Sequence, residues 1–110
     1  MIERPLHYRD GALHFSGYSL ETAAERFDTP LFVYSADAIR ASYRAVEEAF
    51  AESAPRIAYS VKANTNGAIL RLLASEGASF DIVSGGELQR ALRAGVSGTR
   101  LIFAGVGKTR

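Results

Sequence analysis

Short apolar runs alternate with helix-patterned stretches along most of this chain, and few folds accept that order. The runs fall at residues 31–34, 57–61, 80–83 and 101–104. After the first, Ser35 can cap a helix reaching to about residue 52, with Ile39, Tyr43, Val46 and Phe50 forming one apolar stripe. Arg40, Arg44, Glu47 and Glu48 lie away from that stripe and read as a solvated face, Arg44 and Glu48 making an i,i+4 pair. A second helix, around 68–76, carries Ile69, Leu72 and Leu73 and is closed by Gly77. A third, near 86–94, carries Leu88, Ala91 and Leu92 and stops at Gly95. Strands alternating with helices in this way imply an α/β fold of parallel βαβ units with right-handed crossovers. Two architectures fit: an open doubly wound sheet, or a (β/α)8 barrel, which typically needs about 250 residues. If the fold is a barrel, four strands and three helices make its first half.

Residues up to about 28 are less regular. Tyr8, Leu13, Phe15 and Tyr18 point to short extended pieces around Gly11 and Gly17. Ser19 can cap a short helix with Leu20, Ala23 and Ala24 as its apolar side.

Chemistry enters at Lys62. In a strand, side chains alternate between faces, so Ile57, Tyr59 and Val61 share one face while Ala58, Ser60 and Lys62 share the other. The first set is bulky and suits packing under helices. The second is small and ends in a primary amine at the strand's carboxyl end, where parallel α/β folds place their working groups. A buried lysine is disfavoured as a cation, and a neutral amine can condense with a carbonyl. The alternative is a strand-end lysine whose stem lies on the protein while its head reaches water.

Composition narrows the class. At 110 residues, with 47% hydrophobic and 23% charged residues, the chain reads as an ordinary globular protein. A net charge of +1, with basic and acidic residues interspersed, argues against a nucleic-acid partner. No apolar stretch approaches the roughly 20 residues of a membrane span, so no membrane partner is expected. Met1-Ile2-Glu3-Arg4-Pro5 lacks the apolar core of a secretory signal, which makes a cytoplasmic location the default. The absence of cysteine excludes disulfides and thiolate metal sites within this stretch. The chain also stops at Arg110 directly after an apolar run, an unusual place for a domain to end, and so reads as incomplete.

Several motifs carry two readings. Ser84-Gly85-Gly86-Glu87 has the spacing of a capping box, yet free N–H groups at that helix start could face an anion and Glu87 could touch a cofactor. Asp81 lies inside an apolar strand, where a lone carboxylate is costly, so it needs a partner: a cationic or imine group in a shared cavity, or nearby backbone or arginine. Gly105-Val106-Gly107-Lys108-Thr109 imitates the end of a phosphate loop, but Ile102 occupies the position that needs a glycine, and a nucleotide site is rejected. His7 and His14 have no acidic or thiol residue in register and read as surface residues without metal. No Ser-His-Asp or Cys-His constellation can be assembled.

Tyr59-Ser60-Val61-Lys62-Ala63-Asn64 resembles the pyridoxal-phosphate lysine motif of the alanine-racemase-like (fold-type III) barrel decarboxylases. Pro30-Leu31-Phe32-Val33-Tyr34 resembles their first barrel strand. The stretch from Phe80-Asp81-Ile82-Val83 through Ser84-Gly85-Gly86-Glu87-Leu88 is most similar to the bacterial diaminopimelate decarboxylase branch, and Ile102-Phe103-Ala104-Gly105-Val106-Gly107-Lys108-Thr109 fits its fourth strand and loop. The resemblance implies the first half of a pyridoxal-phosphate-binding (β/α)8 barrel over 30–110, preceded by an arm, 1–29, that packs against a missing β domain. It implies that Lys62 holds pyridoxal 5'-phosphate through an imine and that Asp81, Ser84 and Glu87 lie near the cofactor. The implied reaction is decarboxylation of meso-diaminopimelate to L-lysine by a homodimeric parent, with this stretch inactive by itself. A sister enzyme acting on ornithine, arginine or carboxynorspermidine, and a non-catalytic binding relative, are the alternatives.

Overall fold

A computed structural model describes residues 5–108. The chain divides into two compact units, Met1–Ser42 and Tyr43–Arg110.

The first unit begins with the extended pieces expected around the two glycines. Strands β1 (Leu6–Arg9), β2 (Ala12–Phe15) and β3 (Tyr18–Ser19) form an antiparallel meander. Its turns are two-residue loops, Asp10-Gly11 with φ of 51° and 82° and Ser16-Gly17 with φ of 50° and 82°. Positive φ at both turn positions matches the natural twist of a hairpin, and glycine takes the second at no steric cost. His7 and His14 face each other across the β1–β2 register, with ring centroids 5.9 Å apart. Ser19 caps α1 (Leu20–Phe27), its Oγ accepting from Thr22 N at 3.3 Å, and Ala23 is buried.

The strand expected at 31–34 is not formed. Leu31, Val33 and Tyr34 are partly exposed and Phe32 is 84% exposed, and no strand is assigned there. A strand is held by its ladder partner, not by its own residues, and the parallel sheet among the described residues has three strands instead of the expected four. Helix α2 (Ala36–Ala49) follows, and its cap is the expected one: Ser35 Oγ accepts from Ala38 N at 3.2 Å. Ser16 Oγ donates to the same oxygen at 2.6 Å. The helix ends at Ala49, and a 3-10 turn, Ala51–Ser53, takes up the remainder of the expected span. No residue of α2 is buried, and the predicted stripe is uncovered at Val46 and Phe50, 45% and 58% exposed.

The second unit carries the parallel sheet. Strands β4 (Ala58–Ser60), β5 (Ser79–Ile82) and β6 (Leu101–Phe103) run parallel in that order, with α3 (Gly67–Ser75) and α4 (Gly85–Arg93) as the crossovers. This is the βαβ alternation read from the sequence. The register pairs Tyr59 with Phe80 and Phe80 with Leu101 on one face, and Ser60 with Asp81 and Asp81 with Ile102 on the other. The core gathers Val61, Leu70 and Phe80, all completely buried, with Ile69, Leu73, Ile82, Ala91 and Val96 around them. Tyr59 meets Phe80 edge to face, ring centroids 6.0 Å apart. Arg100 Nη2 donates to the carbonyls of Ala74, at 3.1 Å, and Ala78, tying the start of β6 to the end of α3.

Arg44 does not pair with Glu48. It reaches Glu76 at the carboxyl end of α3, with Nε and Nη2 at 3.2 and 3.1 Å from Oε2. A carboxylate at that helix end is disfavoured by the helix dipole, so Glu76 gains more from the guanidinium than a first-turn glutamate would.

Candidate functional site

The site grows from the end of β4. The burial of this stretch follows the expected alternation only in part: Ile57 and Tyr59 are half-buried, Val61 is fully buried, and Ala58 and Lys62 are exposed, but Ser60 is half-buried as well. The strand hands over after Ser60 to a single 3-10 turn, Val61–Ala63, with Lys62 at its centre. Lys62 thus emerges at the carboxyl end of a parallel strand, as expected.

The loop behind it is pinned from several sides. Tyr59 Oη donates to Asn64 O at 3.3 Å. Asn64 Oδ1 accepts from Asn66 N at 2.9 Å, and Asn66 Oδ1 caps α3 through Ala68 N, also at 2.9 Å. Arg90 Nη1, from α4, donates to Thr65 O at 3.4 Å. The alternation of strands and helices does not reveal these supports. Their one local signal is Asn64-x-Asn66-Gly67, an Asx turn running into a helix cap.

Asp81 lies directly across the ladder from Ser60. Ser60 Oγ donates to Asp81 Oδ2 at 3.1 Å. Asp81 Oδ1 is buried and has no hydrogen-bond partner among the described residues. The partner for Asp81 that its strand position demanded is therefore a serine hydroxyl, and it satisfies one carboxylate oxygen of two.

Ser84 and Glu87 act first as structure. Ser84 Oγ caps α4 by accepting from Glu87 N at 3.2 Å. Glu87 Oε2 reaches back to Val83 N at 2.9 Å, one residue before the position a capping box would use. Both residues are thereby held at the carboxyl end of β5, one strand over from Lys62.

The structure does not enclose these groups. Lys62 is exposed, so the cavity expected around its amine is not completed by the described residues. Three strands make an open sheet, and on the face that carries Ala58, Ser60, Asp81 and Ile102, Ala58 and Ile102 are exposed while Ser60 and Asp81 are half-buried. Cavities lie elsewhere among the described residues: one of about 380 Å3 bounded by Pro5, His7, Ser16 and Ser35, one of about 520 Å3 bounded by Glu48, Phe50 and Ser53, and one of about 350 Å3 bounded by Thr65, Arg71 and Arg90. None of these three is lined by Lys62 or Asp81. Lys108 Nζ turns back to Gly105 O at 3.1 Å and sits over the Phe103 ring, so the loop that imitates a phosphate site closes on itself. Thr109 lies outside the described residues. Among the described residues no three His, Cys, Asp or Glu side chains gather as a metal site, and no helix is long and apolar enough to cross a membrane.

Comparison with known proteins gives this arrangement a family. Residues 36–110 match the family described as pyridoxal-dependent decarboxylase, pyridoxal binding domain. Diaminopimelate decarboxylase of Pseudomonas fluorescens is 49% identical over 104 residues, covering 94% of this chain and 25% of that protein. The crystal structure of diaminopimelate decarboxylase from M. jannaschii in co-complex with L-lysine superposes with a TM-score of 0.90 at 39% identity, covering 94% of this chain and 25% of that one. Lysine/ornithine decarboxylase of Vibrio vulnificus, in complex with cadaverine, gives a TM-score of 0.73 at 32% identity, covering 82% of this chain and 24% of that one. The chain spans about a quarter of the length of the curated relatives it matches. Its fold is the α/β, parallel βαβ architecture of part of their barrel. The chain belongs to the pyridoxal-dependent decarboxylase family, and residues 36–110 are pyridoxal-binding-domain sequence.

Proposed function

We propose that this chain is part of a pyridoxal-phosphate-dependent diaminopimelate decarboxylase, and that Lys62 is the residue to which the cofactor is attached. The observation that carries the reading is a primary amine at the carboxyl end of β4, beside the cross-strand pair of Ser60 and Asp81 with one buried carboxylate oxygen unpartnered. These residues fit the cofactor: its aldehyde would need an accessible amine, and a carboxylate with an unpartnered oxygen could accept a hydrogen bond from a protonated nitrogen there. The small side chains of Ala58 and Ser60 leave the face open for a flat ring.

When bound, pyridoxal phosphate supplies an electron sink for the negative charge left at the α-carbon as carbon dioxide departs. Lys62 would hold the cofactor through its side-chain amine. Asp81 supplies negative charge at the carboxyl ends of the strands. Ser84 and Glu87 fix the start of α4, and through it the edge of the cofactor's site. The net reaction breaks the bond between the α-carbon and its carboxylate in meso-diaminopimelate, places a proton on that carbon, and gives L-lysine, the last step of lysine biosynthesis.

An identity of 49% to a diaminopimelate decarboxylase against 32% to the lysine/ornithine enzyme supports this substrate over ornithine. An exposed amine set in a pinned loop favours catalysis over a non-catalytic binding role. In the full-length protein we place residues 1–29 as an arm against a further β domain and 30–110 as the opening of the barrel. We expect a cytoplasmic homodimer, with this stretch inactive alone.

The test is to load the full-length protein with pyridoxal phosphate, reduce it with borohydride and map the adduct. The cofactor mass on the peptide holding Lys62, with carbon dioxide released from meso-diaminopimelate, supports the proposal. An adduct on another lysine, or release only from ornithine or arginine, overturns it.

A further inference from the structure

A carboxylate on a strand face needs donors for two oxygens, and the structure gives Asp81 one. We propose that Ser60 is a positioning residue: its hydroxyl fixes the Asp81 carboxylate so that Oδ1 is kept free for a group attached at Lys62. The inference rests on the proposed role of Lys62 and adds to it a residue of no obvious chemistry.

Three observations converge. Ser60 and Asp81 are register partners on neighbouring parallel strands, so their side chains leave the sheet on the same face. Ser60 Oγ donates to Oδ2 at 3.1 Å, which spends the hydroxyl's single proton on that oxygen and leaves none for Oδ1. Oδ1 is shut off from solvent by the chain itself yet meets no donor. Buried acceptors are nearly always paired, so a buried carboxylate oxygen without a donor among the described residues points to a position prepared for one. Lys62 lies two residues beyond Ser60 and is exposed, its amine without a hydrogen bond or ion pair among the described residues. Asp81 Oδ1 on β5 and the Lys62 amine just after β4, on neighbouring strands, thus both lack a partner among the described residues. Without the hydroxyl, the Asp81 carboxylate can rotate about its terminal torsion, which is broad for aspartate, and Oδ1 loses its fixed direction.

The experiment is a double-mutant cycle in the full-length holoenzyme with Ser60→Ala, Asp81→Asn and the pair, plus Ser60→Thr to restore a hydroxyl. The rate at which apoprotein takes up pyridoxal phosphate, followed by its visible absorbance, is read beside kcat and KM for meso-diaminopimelate. Ser60→Ala is expected to slow uptake and lower kcat by roughly threefold to tenfold with little change in KM, the size of one charge-assisted hydrogen bond. Ser60→Thr recovers most of that loss. In the Asp81→Asn background, Ser60→Ala adds nothing, because the residue it acts through is gone. Additive losses in the pair, or an effect of Ser60→Ala on melting temperature alone, overturn the inference. If wild-type protein takes up no cofactor at Lys62, the functional proposal itself falls; if it does and Ser60→Ala is silent, only the role of Ser60 falls.

Discussion

Arg44 and Glu76 are joined across 32 residues of chain, two of the three guanidinium nitrogens, Nε and Nη2, converging on one carboxylate oxygen. Arg44 is 61% exposed at its side chain and Glu76 only 14%, so solvent weakens the pair from one side. Arg44→Met should cost about 0.5–1 kcal/mol, and less at high salt. Urea denaturation of the full-length protein at low and high ionic strength checks this. An equal cost at both would assign the loss to packing of the arginine stem.

That pair also shows where sequence reading reaches its limit. The caps at Ser19, Ser35 and Ser84 were legible because cap and recipient N–H stand three residues apart, and all three form. The parallel strands around Phe80 and Leu101 were legible because short apolar runs between helices have few other uses. Partner choice is a tertiary matter. Glu48 is a neighbour of Arg44 in sequence, but Glu76 sits at a helix end where a cation is worth more. The same distinction explains 31–34, whose residues favour a strand but which has no ladder partner. At the site, the position of Lys62 at the end of a strand was legible from the apolar run before it, but the 3-10 turn that carries it was not. Nor was the serine that satisfies Asp81, because register between strands is invisible in either strand alone.

Tyr59→Phe tests the support behind Lys62. The mutation keeps the edge-to-face packing on Phe80 and removes the hydroxyl that donates to Asn64 O. Global stability should fall by no more than about 1 kcal/mol, since the bond is long and partly exposed. Amide exchange at 62–66 should quicken well beyond that of β5. Unchanged exchange in that turn would mean that the Asx turn and the helix cap hold it unaided.

Glu87 and Ser84 separate structure from chemistry. Ser84→Ala removes the α4 cap and should cost about 1 kcal/mol, read as a lower urea midpoint. Glu87→Gln retains an acceptor for Val83 N while removing the charge. If Glu87 serves only as a backbone anchor, Glu87→Gln leaves cofactor uptake within about twofold of wild type, whereas Glu87→Ala weakens both uptake and stability. A large loss of uptake in Glu87→Gln would show that its charge acts on the cofactor directly.

Tyr43 predicts an alkaline limit. Its hydroxyl is pushed above the ordinary 10.0 chiefly by burial and further by the charge of Glu47 and Glu76, against an opposing pull from Arg100. The folded chain therefore keeps this proton when the unfolded chain has begun to lose it. The resulting stabilisation is complete below about pH 10 and is lost as pH rises through the higher folded value. Tyr43→Phe lacks that loss, so its melting temperature should rise relative to wild type above pH 10 and hold a constant offset below pH 9. A constant offset at every pH would remove Tyr43 from the alkaline transition.

Gly105 is the tightest point after β6. A methyl group there would lie 2.7 Å from Phe103 Cε1 and 3.0 Å from both Phe103 Cζ and the carbonyl oxygen of Val83. The Phe103 ring can turn aside, though it carries Lys108 above it; the Val83 carbonyl is backbone and moves only if the end of β5 moves. That carbonyl belongs to the residue whose N–H Glu87 holds, so displacement would pass to the start of α4. Gly105→Ala should therefore cost about 1–3 kcal/mol, the usual penalty for forcing an added methyl into a packed site. It should also loosen the α4 cap, visible as faster amide exchange at Glu87. If urea denaturation gives a loss under about 0.5 kcal/mol, the ring alone absorbs the methyl and the backbone approach is not tight.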